Sequence, residues 1–199
     1  MSYIWNLPVK PNNDLAAKFP ELNPVVIQLL ANRGLNKQAA IDEFLYPDYS
    51  QDIHDPYLFE DMKRACRRVY KAVDKDELIT IFGDYDADGV CSAVILKTVL
   101  EKIGAKAEVY LPHREREGYG LNMTAVEQLI EAGTKLIITC DCGVSNREEI
   151  TLAKRKKVDV IVTDHHSVPD KLPPALAIIH PQIGSEKYPF KFLTGGGVG

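Results

Sequence analysis

With 199 residues, 45% of them hydrophobic and 26% charged, the chain can bury a sizeable core, which excludes a disordered polypeptide. It contains no run of about 18 apolar residues, which excludes a membrane-spanning helix. Its opening MSYIWNLPVK lacks the basic stretch and apolar run of a secretory signal, so a cytoplasmic protein with no membrane partner is expected.

Residues 1–76 read as a helical N-terminal region that packs on the domain after it. In NPVVIQLLANRG, Asn23 is the predicted cap, Pro24 takes the first helical position and Gly34 marks the stop. NKQAAIDEFLYP opens on Asn36 as a cap and halts before Pro47. EDMKRACRRVYKAVDKDE sets Met62, Ala65, Cys66, Val69, Ala72 and Val73 at helical spacing. Its basic residues Arg64, Arg67, Arg68 and Lys71 read as a solvated helix face, as does the later run Lys154 to Lys157.

From Leu78 the pattern changes to short apolar runs alternating with amphipathic segments. LITIFG is a buried strand, GVCSAVILKTVLEKIG a helix stopped near Gly104, and AEVYLP a strand. NMTAVEQLIEAG is a helix capped by Asn122, and KLIITCD is a strand. REEITLAKRKK is a helix, and VDVIVTD and ALAIIHP are strands. This rhythm predicts an α/β domain over residues 77–199: a doubly wound, mostly parallel sheet with helices on its faces and right-handed crossovers. Cys66, Cys91, Cys140 and Cys142 lie in apolar segments and read as reduced, buried, small hydrophobes. CDC has no second Cys/His pair at zinc-site spacing.

The charged residues that stand out all follow strands. Asp84, Asp86 and Asp88 follow the first, Asp141 ends the third, and Asp164, His165 and His166 end the fourth. Open parallel sheets form ligand sites beyond the carboxyl ends of their strands, so these groups converge on one crevice. DYDADG fits the first six positions of an EF-hand loop, but the twelfth position is Ile95 rather than a bidentate acid, and a strand leads in. DADGV also resembles the strand-end motif of haloacid-dehalogenase-type phosphatases, but GDY intervenes and DHH has no place in that scheme. Capping of the next helix needs a single Asp, a role open to Asp84. Three packed carboxylates destabilise a loop unless a cation joins them. An oxygen-rich set with one or two imidazoles suits Mn²⁺ or Mg²⁺, and a pair of such ions is the equipment of a phosphoesterase. The net charge of −4 does not exclude a nucleic-acid substrate, since bound cations offset the site's own charge.

DYDADG, DCG and VTDHH together resemble motifs I, II and III of the DHH phosphoesterase superfamily. Within it the chain is similar to the single-stranded-DNA exonucleases. GDYDADG stands where pyrophosphatase relatives carry a His-containing motif, and REREGYGLN, HPQ and the lead-in FLYPDYSQDIHDPYLFEDMKRA extend the likeness. The resemblance implies two ions, Mn²⁺ or Mg²⁺. Asp86 and Asp88 would hold one each, Asp141 would bridge them and His165 would complete the second. His166 would face the substrate phosphate, Asp84 would be a weak ligand or a water-positioning base, and Asp164 would orient the loop from behind. Arg114, Arg116 and Tyr119 would contact phosphate and bases over the crevice. It further implies 5′ to 3′ degradation of single-stranded DNA in repair and recombination, with a single-strand-binding protein or a helicase as partner. The family carries a further metal-binding Asp and a glycine-rich second domain. This sequence ends at LTGGGVG, so it is expected to be an N-terminal catalytic half, weakly active or inactive alone.

Overall fold

The computed structural model describes residue 4 and residues 13–199. The chain divides into two compact units, at Ile53 and His54. In the described part of the first, α1 (Asn13–Lys18), α2 (Pro24–Asn32) and α3 (Gln38–Leu45) bury Leu15, Phe19, Ile27, Leu30 and Ile41 in a common core. Asn23 caps α2 as expected, accepting from the Val25 amide at 2.9 Å. Asn36 does not cap α3. Its side-chain amide donates to the Gly34 carbonyl, closing the preceding turn, and Lys37 takes the cap position without a side-chain bond. Asn offers its backbone both uses, and the turn wins here.

The second unit, His54–Gly199, holds α4 (Met62–Asp74), β1 (Leu78–Gly83), α5 (Ala87–Lys102), β2 (Lys106–Tyr110) and α6 (Met123–Glu131). It continues with β3 (Leu136–Cys140), α7 (Arg147–Arg155), β4 (Asp159–Thr163), β5 (Ala177–Ile179) and the short α8 (Gly195–Val198). The helix α4, which the sequence groups with the lead-in, lies in this unit. Ala65 and Ala72 join the core of the sheet, and the Asp61 carboxylate just before α4 accepts from the Ile178 amide of β5 at 2.9 Å.

The strands form a single sheet in the order β2-β1-β3-β4-β5, with every pairing parallel. Because successive residues of a strand face opposite sides, each strand feeds two cores. Ile79, Ile81, Leu136, Ile138, Ile161 and Ile179 pack with residues of α4, α5 and α8. Phe82, Ile137, Val160, Val162 and Ile178 pack with residues of α6 and α7. Strands buried on both faces read as the unbroken apolar runs seen in the sequence. The strand order reverses between β1 and β3, so the crevice beyond their carboxyl ends is where a ligand site is expected.

Two surface expectations fail. Of the cysteines expected to be buried, Cys91 on α5 is exposed and Cys66 only partly buried. Arg68 is not on a solvated face but only 7% exposed. Its Nε pairs with Asp159 at 2.5 Å, its Nη2 with Glu77 at 2.8 Å, and it donates to the Lys135 carbonyl at 3.1 Å. It therefore ties α4 to the amino ends of β3 and β4. Arg68→Met is expected to lower the unfolding free energy by about 2 kcal/mol, less than for a fully buried pair because Asp159 and Glu77 are partly exposed. Urea denaturation followed by far-UV circular dichroism measures this. No helix among the described residues is long and apolar enough to cross a membrane.

Candidate metal centre

β1 delivers the aspartate loop to the crevice. Asp84 follows directly and is 2% exposed. Asp86 caps α5, its Oδ1 accepting from the amides of Asp88 and Gly89 at 2.9 and 3.0 Å. Gly89 lets the helix start against the loop, since a Cβ there would lie 2.5 Å from the Asp84 carbonyl oxygen. β3 delivers Asp141, 1% exposed and in the left-handed region at φ 61°. Asp is one of the few residues that tolerates that region. β4 delivers Asp164, His165 and His166.

Asp164 is 1% exposed and wholly committed to the loop. Its Oδ2 accepts from the Val144 amide at 2.9 Å. Its Oδ1 accepts from the amides of His165 and His166 at 2.7 and 3.1 Å and lies 2.8 Å from Nδ1 of His166. The imidazoles of His165 and His166 are thereby turned toward Asp141. Nε2 of His165 is 2.9 Å from Asp141 Oδ1 and 3.7 Å from Asp88 Oδ2. Nδ1 of His166 is 4.0 Å from Asp141 Oδ1.

Two groups of possible ligand atoms result, each lying within 4.8 Å of one another: Asp84, Asp86 and Asp141, and Asp141, His165 and His166. Asp141 belongs to both. The buried Asp84 Oδ1 has no hydrogen-bond partner, and the buried Asp141 Oδ1 accepts no hydrogen bond although Nε2 of His165 stands 2.9 Å from it. A buried carboxylate oxygen left unpaired is costly, and a cation relieves it. Oxygen donors with one or two imidazoles fit Mn²⁺ or Mg²⁺. The electrostatics agree. Burial, then Asp88 and Asp86, push the Asp141 carboxyl up to about 6. Burial also raises Asp84, with Asp86 adding to it.

Asp88, expected to be a ligand, lies in neither group. Its Oδ2 and Oδ1 accept from the amides of Gly195 and Gly196 at 2.7 and 2.8 Å. These bonds hold Asp88 below the usual carboxylate range against its own desolvation. The sequence reading did not assign Gly195 to the site, yet its position is tight: a Cβ there would lie 2.7 Å from both Cβ and Oδ1 of Asp141. His180, named only within HPQ, is also at the site's edge. Its signal in the sequence was weak, being one histidine after an apolar run.

The CDC thiols are not metal donors here. Cys140 and Cys142 point their sulfurs at the carbonyls of Gly89 and Phe82. Burial pushes the Cys140 thiol up to about 12 and that of Cys142 well above the ordinary range.

The loop after β2 is split in its placement. Arg114 lies over the Tyr85 ring at 5.2 Å, beside the aspartate loop, and its charge is felt at Asp84. Tyr119 donates to the Asp141 carbonyl at 3.1 Å, meets the His166 ring edge-on at 5.4 Å and is half-exposed. Arg116 lines a separate depression with Tyr110, Glu117, Asn122, Thr124 and Gln128.

The sequence profile of the DHH family, N-terminal domain, matches residues 78–191, which carry all these groups except Gly195 and Gly196. The chain belongs to the DHH family. Among DHH-family proteins it is 39% identical over 192 residues to the single-stranded-DNA-specific exonuclease RecJ of Bacillus subtilis, covering 95% of this chain and 24% of that protein. It is 33% identical to RecJ of Haemophilus influenzae over 88% of this chain and 30% of the relative. The chain thus spans about a quarter to a third of these curated relatives. A crystal structure of the exonuclease RecJ bound to manganese matches 70% of this DHH-family chain, and 35% of its own, with a TM-score of 0.65 and 36% identity. RecJ of Thermus thermophilus in complex with Mn²⁺ matches 94% of the chain, and 25% of its own, at a TM-score of 0.66 and 29% identity.

Proposed function

We propose that this DHH-family chain is the catalytic part of a metal-dependent exonuclease that hydrolyses phosphodiester bonds of single-stranded DNA from the 5′ end, in repair and recombination. The observation that carries this reading is the pair of ligand groups that share the buried Asp141, with Asp84 Oδ1 buried and without a hydrogen bond. The names of the relatives supply the substrate class, and the manganese-bound RecJ structures support the choice of Mn²⁺ or Mg²⁺.

In this reading Asp86 and Asp88 would each help to hold one ion, Asp141 would serve both and His165 would complete the set for the second. Asp88 can still do so, because each carboxylate oxygen keeps a lone pair beyond the one an amide uses. Two divalent ions held there would supply positive charge to a phosphodiester and lower the pKa of water. Asp84 would serve as a weak ligand to an ion or as a base that positions the attacking water. His166, held by Asp164 and Tyr119, presents its ring to the non-bridging phosphate oxygens as charge develops on them. Asp164 keeps both histidines in place. Arg114 offers its guanidinium to a backbone phosphate, Tyr119 its exposed ring to a base, and Arg116 a contact further along the strand. A cytoplasmic site of action and a single-strand-binding protein or helicase as partner belong to the same reading.

A 5′-labelled single strand incubated with the chain and excess Mn²⁺ is expected to release labelled mononucleotide slowly, with none released in excess chelator and little from duplex DNA. Cleavage confined to cyclic dinucleotides, or cleavage unaffected by chelation, would overturn the reading.

A further inference from the structure

His180 lies one residue past β5 and is 0% exposed, and no role in binding a cation or substrate falls to it. Both ring nitrogens are used. The Gln182 amide donates to Nδ1 at 3.1 Å, so Nδ1 presents a lone pair. Nε2 lies 2.8 Å from the His166 carbonyl oxygen, which only accepts, so Nε2 carries the hydrogen. The ring is thus neutral and fixed in one tautomer.

Its location gives this geometry a purpose. β4 and β5 pair in register to Thr163 and Ile179, and the last backbone bond between them runs from the Asp164 amide to the Ile179 carbonyl at 3.2 Å. Beyond it the chain turns to aim His165 and His166 at Asp141. Asp164 holds this turn through its amides. His180 is the side chain that holds it through a carbonyl, on the side of β5.

We propose that His180 is a positioning residue: a neutral strut from the end of β5 that fixes the His165–His166 loop where the sheet's own hydrogen bonding ends. His180→Leu keeps an apolar body and removes both bonds. His180→Gln keeps a donor for the His166 carbonyl.

Two measurements on the metal-free protein decide it. Ring ¹⁵N shifts of the wild type are expected to show the Nε2–H tautomer. Amide hydrogen exchange at His165 and His166 is expected to be about tenfold faster in His180→Leu, with exchange in the centres of β1 and β3 unchanged, because the loss is a local opening. His180→Gln should keep exchange within about threefold of wild type, having kept the main bond. A third measurement, which alone rests on the metal-centre reading above, is Mn²⁺ calorimetry: His180→Leu should bind about tenfold more weakly, as when a support behind a ligand is lost. An Nδ1–H tautomer, or wild-type exchange at His165 and His166 in a folded His180→Leu, overturns the proposal. If His180→Leu does not fold, the wild-type ring spectrum and the His180→Gln exchange decide. None of these uses hydrolysis, so a protein without nuclease activity would refute the proposed function and leave this inference standing.

Discussion

Asp141→Asn should weaken Mn²⁺ binding by more than about 100-fold, beyond what loss of an outer support costs, and should abolish hydrolysis while making the metal-free protein more stable at neutral pH. Asn keeps the side-chain volume and tolerates the left-handed backbone at φ 61°, so the change removes charge and little else. Asp141 lies in both ligand groups, so its loss disturbs both ions at once. The stability effect follows from its pKa, raised by burial and by Asp88 and Asp86 from 3.8 to about 6. A carboxyl whose folded pKa is raised holds its proton longer in the folded state than in the unfolded one. Wild-type stability therefore falls as the pH rises from 3.8 to about 6 and stays low above that range. Removing the charge should restore about 1–3 kcal/mol at pH 7 and almost nothing at pH 3. Saturating Mn²⁺ should reverse the order, since only the wild type gains binding energy. Thermal unfolding of both proteins across pH, with and without Mn²⁺, measures all of this. An Asn variant that binds Mn²⁺ like the wild type would remove Asp141 from the centre.

Gly195→Ala should damage the same centre from a position 54 residues further along the chain. The new Cβ would meet Asp141 Cβ and Oδ1 at 2.7 Å and Cγ at 2.8 Å. Asp141 has no room to withdraw, being 1% exposed at the end of a central strand, so α8 must move. Its movement breaks the bonds from the Gly195 and Gly196 amides to Asp88. A loss of about 1–3 kcal/mol is expected from overpacking, together with at least tenfold weaker Mn²⁺ binding, on the order of other ligand-support losses. Gly196→Ala is the control. Its Cβ would lie 3.5 Å from Asp88 Oδ1, an ordinary contact, so metal affinity should stay within about threefold of wild type. Calorimetric titration of the two variants separates them, and equal affinities would show that the glycines merely end the fold.

Much of this was legible from the chain alone, for reasons specific to each element. LITIFG, KLIITCD and VDVIVTD announce strands buried on both faces because apolar and β-branched residues fill them, with only Thr80, Thr139 and Asp159 as polar residues before their ends. Asn122 announces a cap because the rule is local, and the Ala125 amide takes its oxygen at 2.8 Å. Alternation of strand and helix then puts Asp84, Asp141 and Asp164 at one edge without further information, since parallel strands share their carboxyl side.

Other features have no local signature. The solvated face predicted for Arg68 treats the helix as alone, but α4 lies beside the amino ends of β3 and β4, where Asp159 and the Lys135 carbonyl await it. Asn36 had two equally local partners, and only the packed turn chose between them. The aspartate-rich motif determines that carboxylates crowd the end of β1. It does not say which oxygens are free. That was decided by residues 107 and 108 positions away, whose amides take both oxygens of Asp88, while Asp84 and Asp141 each keep a buried oxygen that accepts no hydrogen bond. The sequence by itself thus determined the strands, the helices α2 to α7 and the edge where the acids and histidines gather, because periodicity and caps act over a few residues, whereas α1 and α8 were not read from it. The tertiary structure decided the left-handed turn at Asp141, the amide clamp on Asp88 and the bond from His180 to the His166 carbonyl. Each depends on distances between segments that meet only when the strand order β2-β1-β3-β4-β5 brings them together.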